Sequence, residues 1–273
     1  MHVIFRESHG LEETETPMDL AQSPADLVVL SFSDSDLGAF AKAWHRAGGP
    51  DGNLPSLRLA NLVALRHPLS VDTYVEQTLS GAKGILIRLI GGVSYWTYGL
   101  QQVRALADKN RIALAVLPAD GRTDTRLDEV STLPVSTLRR LAHLCDTGGE
   151  VAAQAALAQM ALATGLYAGP VPGSKALPPT GVWAPGHPVS DPSDIGPKTR
   201  PRIALTFYRS FLVAADTAPI EALQSAFEAR GYEVIAIYAP SLKAPDATTW
   251  LRRQILHLAP DAIVNATSFS GRG

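Results

Sequence analysis

The residues best suited to ligand chemistry lie in the stretch IRLIGGVSYWTYG, Ile87 to Gly99. Its first residues read as a buried strand, and Gly91-Gly92 sit where that strand hands over to a helix. Glycines at such a point let backbone N–H groups approach a ligand, and the helix N-terminus beyond them favours an anion. Tyr95, Trp96 and Tyr98 offer aromatic faces suited to a large flat ligand or to a partner surface. Arg88, on the strand, is placed to pair with a carboxylate. The same aromatics would equally plug one end of a core or pack against a neighbouring domain, and spacing alone leaves both readings open. The candidate substrate-binding residues are therefore Arg88, Gly91, Gly92, Tyr95, Trp96 and Tyr98, with no catalytic residue assigned.

Other candidates read more plainly. SDSD, Ser33 to Asp36, follows a strand and opens a helix, so it is either a helix cap at Ser33 or Asp34 or a polar rim at a sheet edge. Glu12, Glu13, Glu15 and Asp19 form an acidic run of the kind that is usually a solvated loop. His143 and Cys145 are two apart on a helical stretch and point apart, and neither C-x-x-C nor H-E-x-x-H is present, so no metal site is read. The triphosphate motif G-x-x-x-x-G-K-[ST], the dinucleotide motif G-x-G-x-x-G and the elbow G-x-S-x-G are all missing; GPVPGSK, at Gly169 to Lys175, has the wrong spacing.

The elements that must position these residues alternate. DLVVLSFS, SLRLANL, GILIRLIG and IALAVLP read as strands, each followed by a segment of helical period. One such helix is expected to start at a Ser70 cap. This rhythm implies α/β architecture: a doubly wound parallel-sheet, flavodoxin-like domain over residues 1–165. Residues 166–200 are rich in proline and glycine and read as a linker. The rhythm restarts over 201–273 with three strands and a Thr217 cap, the start of a second, incomplete α/β domain.

Composition narrows the class. With 273 residues, 46% hydrophobic, 18% charged and a formal net charge of −2, the chain has the profile of a globular protein. It has no basic stripe for nucleic acid. Cys145 is the only cysteine, which fits a reducing compartment, and the amino terminus lacks a signal-peptide pattern. Val151 to Gly169 is alanine-rich with Gln154 and Gln159, a packed helix rather than a membrane span. The expected location is the cytoplasm.

Several segments resemble a known family. SLRLANL, HPLSVDTYVEQTLSGAKGILIRLIGGVSYWTYGL and FYRSFLVAADTAPIEALQSAFEARG look like the amino-terminal region of the aerobic cobaltochelatase large subunit, the CobN family, which is related to the magnesium-chelatase H subunit. The closing DAIVNATSFSGRG is similar too, so the resemblance runs through nearly the whole chain. It implies part of an ATP-dependent ligase that forms nitrogen–metal bonds in aerobic cobalamin (vitamin B12) biosynthesis. In that family the large subunit binds hydrogenobyrinic acid a,c-diamide, a tetrapyrrole, and takes Co²⁺ as a substrate. AAA+ partner subunits of the CobS and CobT type use ATP and Mg²⁺, which agrees with the missing phosphate loop here. Family members are several times longer, so this chain is expected to contribute substrate binding and subunit docking and to be inactive alone. The alternative is a non-catalytic α/β binding or interaction module.

Overall fold

The computed structural model describes residues 16–267 apart from 168, 172, 174, 175 and 188, and leaves the side chain of residue 194 undescribed. Glu12, Glu13 and Glu15 of the acidic run lie outside the described residues. The chain divides into two compact units, Met1–Ser174 and Lys175–Gly273.

The first unit runs β1 (Leu27–Ser31), α1 (Asp34–Arg46), β2 (Leu57–Asn61), α2 (Pro68–Gln77), β3 (Gly84–Leu89), α3 (Thr97–Asn110), β4 (Ala113–Pro118), α4 (Thr125–Val130), α5 (Val135–Thr147) and α6 (Gly149–Ala163). The four strands pair in parallel in the order β2-β1-β3-β4, with Leu27 opposite both Leu57 and Gly84. This is the flavodoxin-like arrangement, and the chain reverses direction across the sheet between β1 and β3. Helices α2 and α3 pack together, while α1 and α5 pack on α6. Parallel strands need crossover connections, and these coat the sheet with helices. That is why β1 and β3 are buried along their whole length. Val28, Leu30, Ile85, Ile87, Leu114 and Val116 form the core on one side, together with Val71 of α2 and Leu100 and Val103 of α3.

One local feature departs from the sequence expectation and another meets it. Helix α2 is capped by His67, whose Nδ1 accepts from the Leu69 N–H at 3.1 Å. Ser70, expected as the cap, is buried and its Oγ accepts from the Met18 N–H at 2.7 Å, tying the incoming chain to α2. Pro68 decides this, because its fixed φ suits the first helical turn and moves the helix start ahead of Ser70. Helix α1 does take Ser33 as its cap, with Oγ accepting from the Asp36 N–H at 3.2 Å.

The outer edge of β4 is closed without a fifth strand. The Leu114 N–H donates to Thr132 Oγ1 at 2.7 Å and the Val116 N–H to Ser131 Oγ at 2.9 Å. The Thr132 N–H in turn reaches the Leu114 carbonyl at 2.9 Å. Two hydroxyls thus occupy hydrogen-bonding positions that would otherwise invite another chain.

The second unit contains β5 (Gly181–Trp183), β6 (Arg202–Tyr208), α7 (Arg209–Val213), α8 (Ala218–Glu228), β7 (Glu233–Ala239), α9 (Pro245–Leu258) and β8 (Ala262–Asn265). Its sheet has the order β5-β7-β6-β8, parallel except for β5, which pairs antiparallel with β7. The expectation of three strands is corrected here. Strand β5 lies inside the proline-rich stretch read as a linker, and Trp183 and Leu177 of that stretch pack on the core of Phe207 and Tyr238. A strand as short as β5 leaves no periodicity to read, and only the neighbouring edge of β7 makes it a strand. The buried Arg202 guanidinium holds the opposite end of this sheet, bonding both Glu233 oxygens and the Leu258 carbonyl that ends α9.

Among the described residues no helix is long and apolar enough to cross a membrane.

Candidate functional site

Open parallel sheets place ligands beyond the carboxyl ends of their strands. In the first unit that edge is built from the β1–α1, β2–α2, β3–α3 and β4–α4 connections. The β3–α3 connection turns sharply, with positive φ at Gly91 (87°) and Gly92 (74°). Side chains rarely adopt this conformation, and a Cβ at Gly92 would also lie 2.8 Å from Asp124 Oδ2. The two glycines let the loop pass close against the start of α4 and then enter a one-turn 3₁₀ segment, Val93–Tyr95.

Beyond the glycines the three aromatic residues take different roles. Tyr95 is exposed, and its ring meets Phe32 edge-to-face with centroids 4.8 Å apart. Phe32 follows β1 and Tyr95 follows β3, so this pair sits across the point where the strand order reverses. Trp96 is the inward member, only 6% exposed, and its Nε1 donates to the Leu65 carbonyl at 2.8 Å. Tyr98, in the first turn of α3, is exposed and donates its hydroxyl to Asp72 Oδ1 at 2.7 Å. That hydrogen bond raises the Tyr98 pKa above the ordinary tyrosine value.

These residues enclose an open cleft of about 410 Å³, lined chiefly by Arg66, Val71, Tyr95, Trp96, Thr97 and Tyr98. Helix α2 connects β2 to β3 and must cross over β1 on the way, so it lies beside α3. The segments that open the two helices therefore meet, and the cleft is where they meet. Val71 supplies an apolar wall, Trp96 the floor, and the two tyrosine rings the rim. Arg66 is exposed at the end of the 3₁₀ turn Leu62–Leu65. It makes no hydrogen bond or ion pair with any described residue.

Arg88 is not in the cleft. It is 4% exposed, and its guanidinium donates to Asp36 Oδ1 at 3.1 Å and to Asp146 Oδ1 at 2.7 Å. Asp36 is held in turn by the Ser31 hydroxyl at 2.9 Å. The expected carboxylate partner of Arg88 is thus supplied from within, by helices α1 and α5. Arg88 Nε is buried without a partner. Nearby, burial pushes the Cys145 thiol up to about 12 despite the Arg88 charge. Among the described residues no group of histidine, cysteine and carboxylate side chains is arranged to hold a metal ion.

Of the six residues singled out in the sequence, the structure brings Tyr95, Trp96 and Tyr98 to one cleft, uses Gly91 and Gly92 for its turn, and withdraws Arg88. Arg66 and Val71 were missed. Their signal was indirect: both belong to the β2–α2 connection, whose meeting with α3 follows only once the strand order is known.

Comparison with known proteins agrees with this architecture. The CobN/Magnesium Chelatase family profile matches residues 145–273. Aerobic cobaltochelatase subunit CobN from a Sinorhizobium species is 35% identical over 282 residues, an alignment spanning 99% of this chain. The subunit of the same description from Pseudomonas aeruginosa is 36% identical over 280 residues, again across 99% of the chain. Residues 145–273 match the CobN/magnesium chelatase family, and nearly the whole chain is similar to CobN subunits. The chain spans 22% of the length of each of these two relatives. The fold also matches a solved structure, the catalytic subunit of cobaltochelatase from Mycobacterium tuberculosis, with a TM-score of 0.68 at 24% identity. That match covers 88% of this chain and 18% of the other. The cleft at the α2–α3 junction, where Tyr95, Trp96 and Tyr98 meet, is the candidate site.

Proposed function

We propose that this chain is part of a cobaltochelatase large subunit of aerobic cobalamin biosynthesis, and that its carboxyl-edge cleft binds one edge of the tetrapyrrole substrate, hydrogenobyrinic acid a,c-diamide. The observation that carries the reading is the pair of exposed tyrosine rings, Tyr95 and Tyr98, flanking an apolar floor in a chain whose relatives are CobN subunits. A ring system gains from aromatic and apolar walls because they bury its faces, while ordered polar groups fix its orientation. A cleft of about 410 Å³ accommodates an edge of such a macrocycle, not the whole ring.

In this reading Co²⁺ is a substrate of the full complex and the reaction forms nitrogen–metal bonds. The chain alone would hold the ligand without inserting the metal. ATP and Mg²⁺ would be used by AAA+ partner subunits of the CobS and CobT type, consistent with a sequence that carries no phosphate-cradling motif. The complex would act in the cytoplasm. Holding the macrocycle by its edge would restrain its orientation while metal and base approach the ring centre from elsewhere. The domain arrangement we propose is an N-terminal α/β domain joined through the proline-rich stretch to a second α/β domain.

The test is a titration of the folded chain with hydrogenobyrinic acid a,c-diamide, without cobalt or ATP, followed by tryptophan fluorescence and corrinoid absorbance. Saturable binding that weakens in Tyr98→Ala is the expected result. Saturable binding unaffected by Tyr95→Ala, Tyr98→Ala or their combination would remove the cleft from the proposal. No binding at all would overturn the substrate-binding role and leave the tyrosines a docking surface.

A further inference from the structure

The cleft is lined by one exposed arginine, Arg66. Buried or half-buried arginines elsewhere in the chain are matched: Arg88 by Asp36 and Asp146, Arg139 by Asp128, Arg202 by Glu233. Arg104 is taken up by Asp108 and by the carbonyls that end α4. Arg66, which lines the cleft, has no such partner among the described residues. The Tyr98 hydroxyl donates to Asp72 Oδ1 at 2.7 Å, which holds the Tyr98 ring at the cleft.

We infer that Arg66 is the specificity-determining residue of this cleft and that it selects flat, conjugated ligands bearing a carboxylate at their edge. The inference rests on the substrate-binding reading above and adds to it the chemical group that is recognised and the residue that recognises it. Three features of the cleft converge on this class. Aromatic rims at Tyr95 and Tyr98 favour a planar conjugated body. Val71 and Trp96 present apolar surface below it, both under a tenth exposed. A guanidinium in the wall offers paired N–H donors that match a carboxylate in two-point geometry. The positive end of α3 adds to the same preference, since Trp96 provides no capping side chain there. A neutral ester or amide in the carboxylate's place would lose the charge-assisted hydrogen bonds while keeping the stacking surface.

The experiment compares the wild type, Arg66→Gln and Arg66→Lys with two probes, hydrogenobyrinic acid a,c-diamide and its fully methyl-esterified form, at low and high salt. The wild type is expected to bind the acid about tenfold more tightly than the ester, a ratio that shrinks with salt because the charge is exposed. Arg66→Gln should bind both probes alike, at the ester's affinity, and Arg66→Lys should recover part of the preference. A wild type that binds acid and ester equally overturns the role of Arg66 while leaving the cleft as a tetrapyrrole site. Retention of the full preference in Arg66→Gln does the same. Failure of the wild type to bind either probe overturns the cleft reading and this inference with it. Circular dichroism of each variant separates these outcomes from misfolding, and Arg66 is exposed, so its replacement leaves the core intact.

Discussion

The indole of Trp96 lies across the backbone of Gly99, in the space that a side chain at position 99 would occupy. A Cβ built on Gly99 would overlap the Trp96 indole at Cε2, Cζ2 and Cδ2. Gly99 is therefore glycine because of a neighbour, although it sits within helix α3, where glycine is unfavourable by about 1 kcal/mol relative to alanine. Replacing Gly99 with alanine raises helix propensity yet expels the indole from its seat and breaks its bond to the Leu65 carbonyl. The net expectation is destabilisation by about 1–3 kcal/mol, the usual cost of overpacking. Urea unfolding checks the sign, and a red-shifted tryptophan emission should accompany it. A Gly99→Ala protein as stable as the wild type would mean that the indole has another place to go.

This pairing also shows what the sequence could and could not reveal about the site. The glycine turn after β3 was legible, because an apolar run ending in Gly-Gly before a helical pattern has few other readings. The parallel sheet was legible for the same reason: strand and helix alternate at a regular spacing. Which aromatic faces inward was not. Trp96 points to the core because Leu65 offers it a carbonyl and Gly99 offers it space, and Leu65 lies on a different connection. Arg88 looked available because its two carboxylates, Asp36 and Asp146, are 52 and 58 residues away in sequence. Strand β5 was hidden among prolines, since three residues carry no period. In each case the deciding partner is distant along the chain.

Arg88 gives a second prediction, because the sequence reading and the structure disagree about it. As a ligand-binding residue it would lose affinity on substitution at little cost in stability. As found, it bridges α1 and α5 through Asp36 and Asp146, with only 5% of its side chain exposed. Arg88→Met should therefore destabilise the first unit by about 3 kcal/mol, the lower end for a broken buried pair, since water still reaches Asp146. Tetrapyrrole affinity of the folded variant should remain that of the wild type. Denaturant midpoints together with the fluorescence titration measure both effects. A loss of affinity with unchanged stability would place Arg88 at the ligand after all.

Cys145 supplies a third prediction, on pH. Burial pushes its thiol from the ordinary 9.0 to about 12 in the folded chain. Unfolding exposes it and returns the ordinary value. Between these two pH values the unfolded chain has released the proton and the folded chain has kept it. Stability therefore falls as pH rises through that window, by about 1.4 kcal/mol per pH unit for this one group. Tyr74 and Tyr238 are shifted upward by burial as well and act in the same direction, so the effect of Cys145 must be isolated by difference. Cys145→Ala should show a shallower loss of stability than the wild type as pH rises above about 9, and a similar slope between neutral pH and that value. Parallel slopes in urea unfolding would mean that the thiol is reached by water in the folded state. Alkylation by iodoacetamide at mildly alkaline pH gives an independent reading: the native thiol should react far more slowly than the urea-unfolded one, because the thiolate is the nucleophile and the folded chain withholds it.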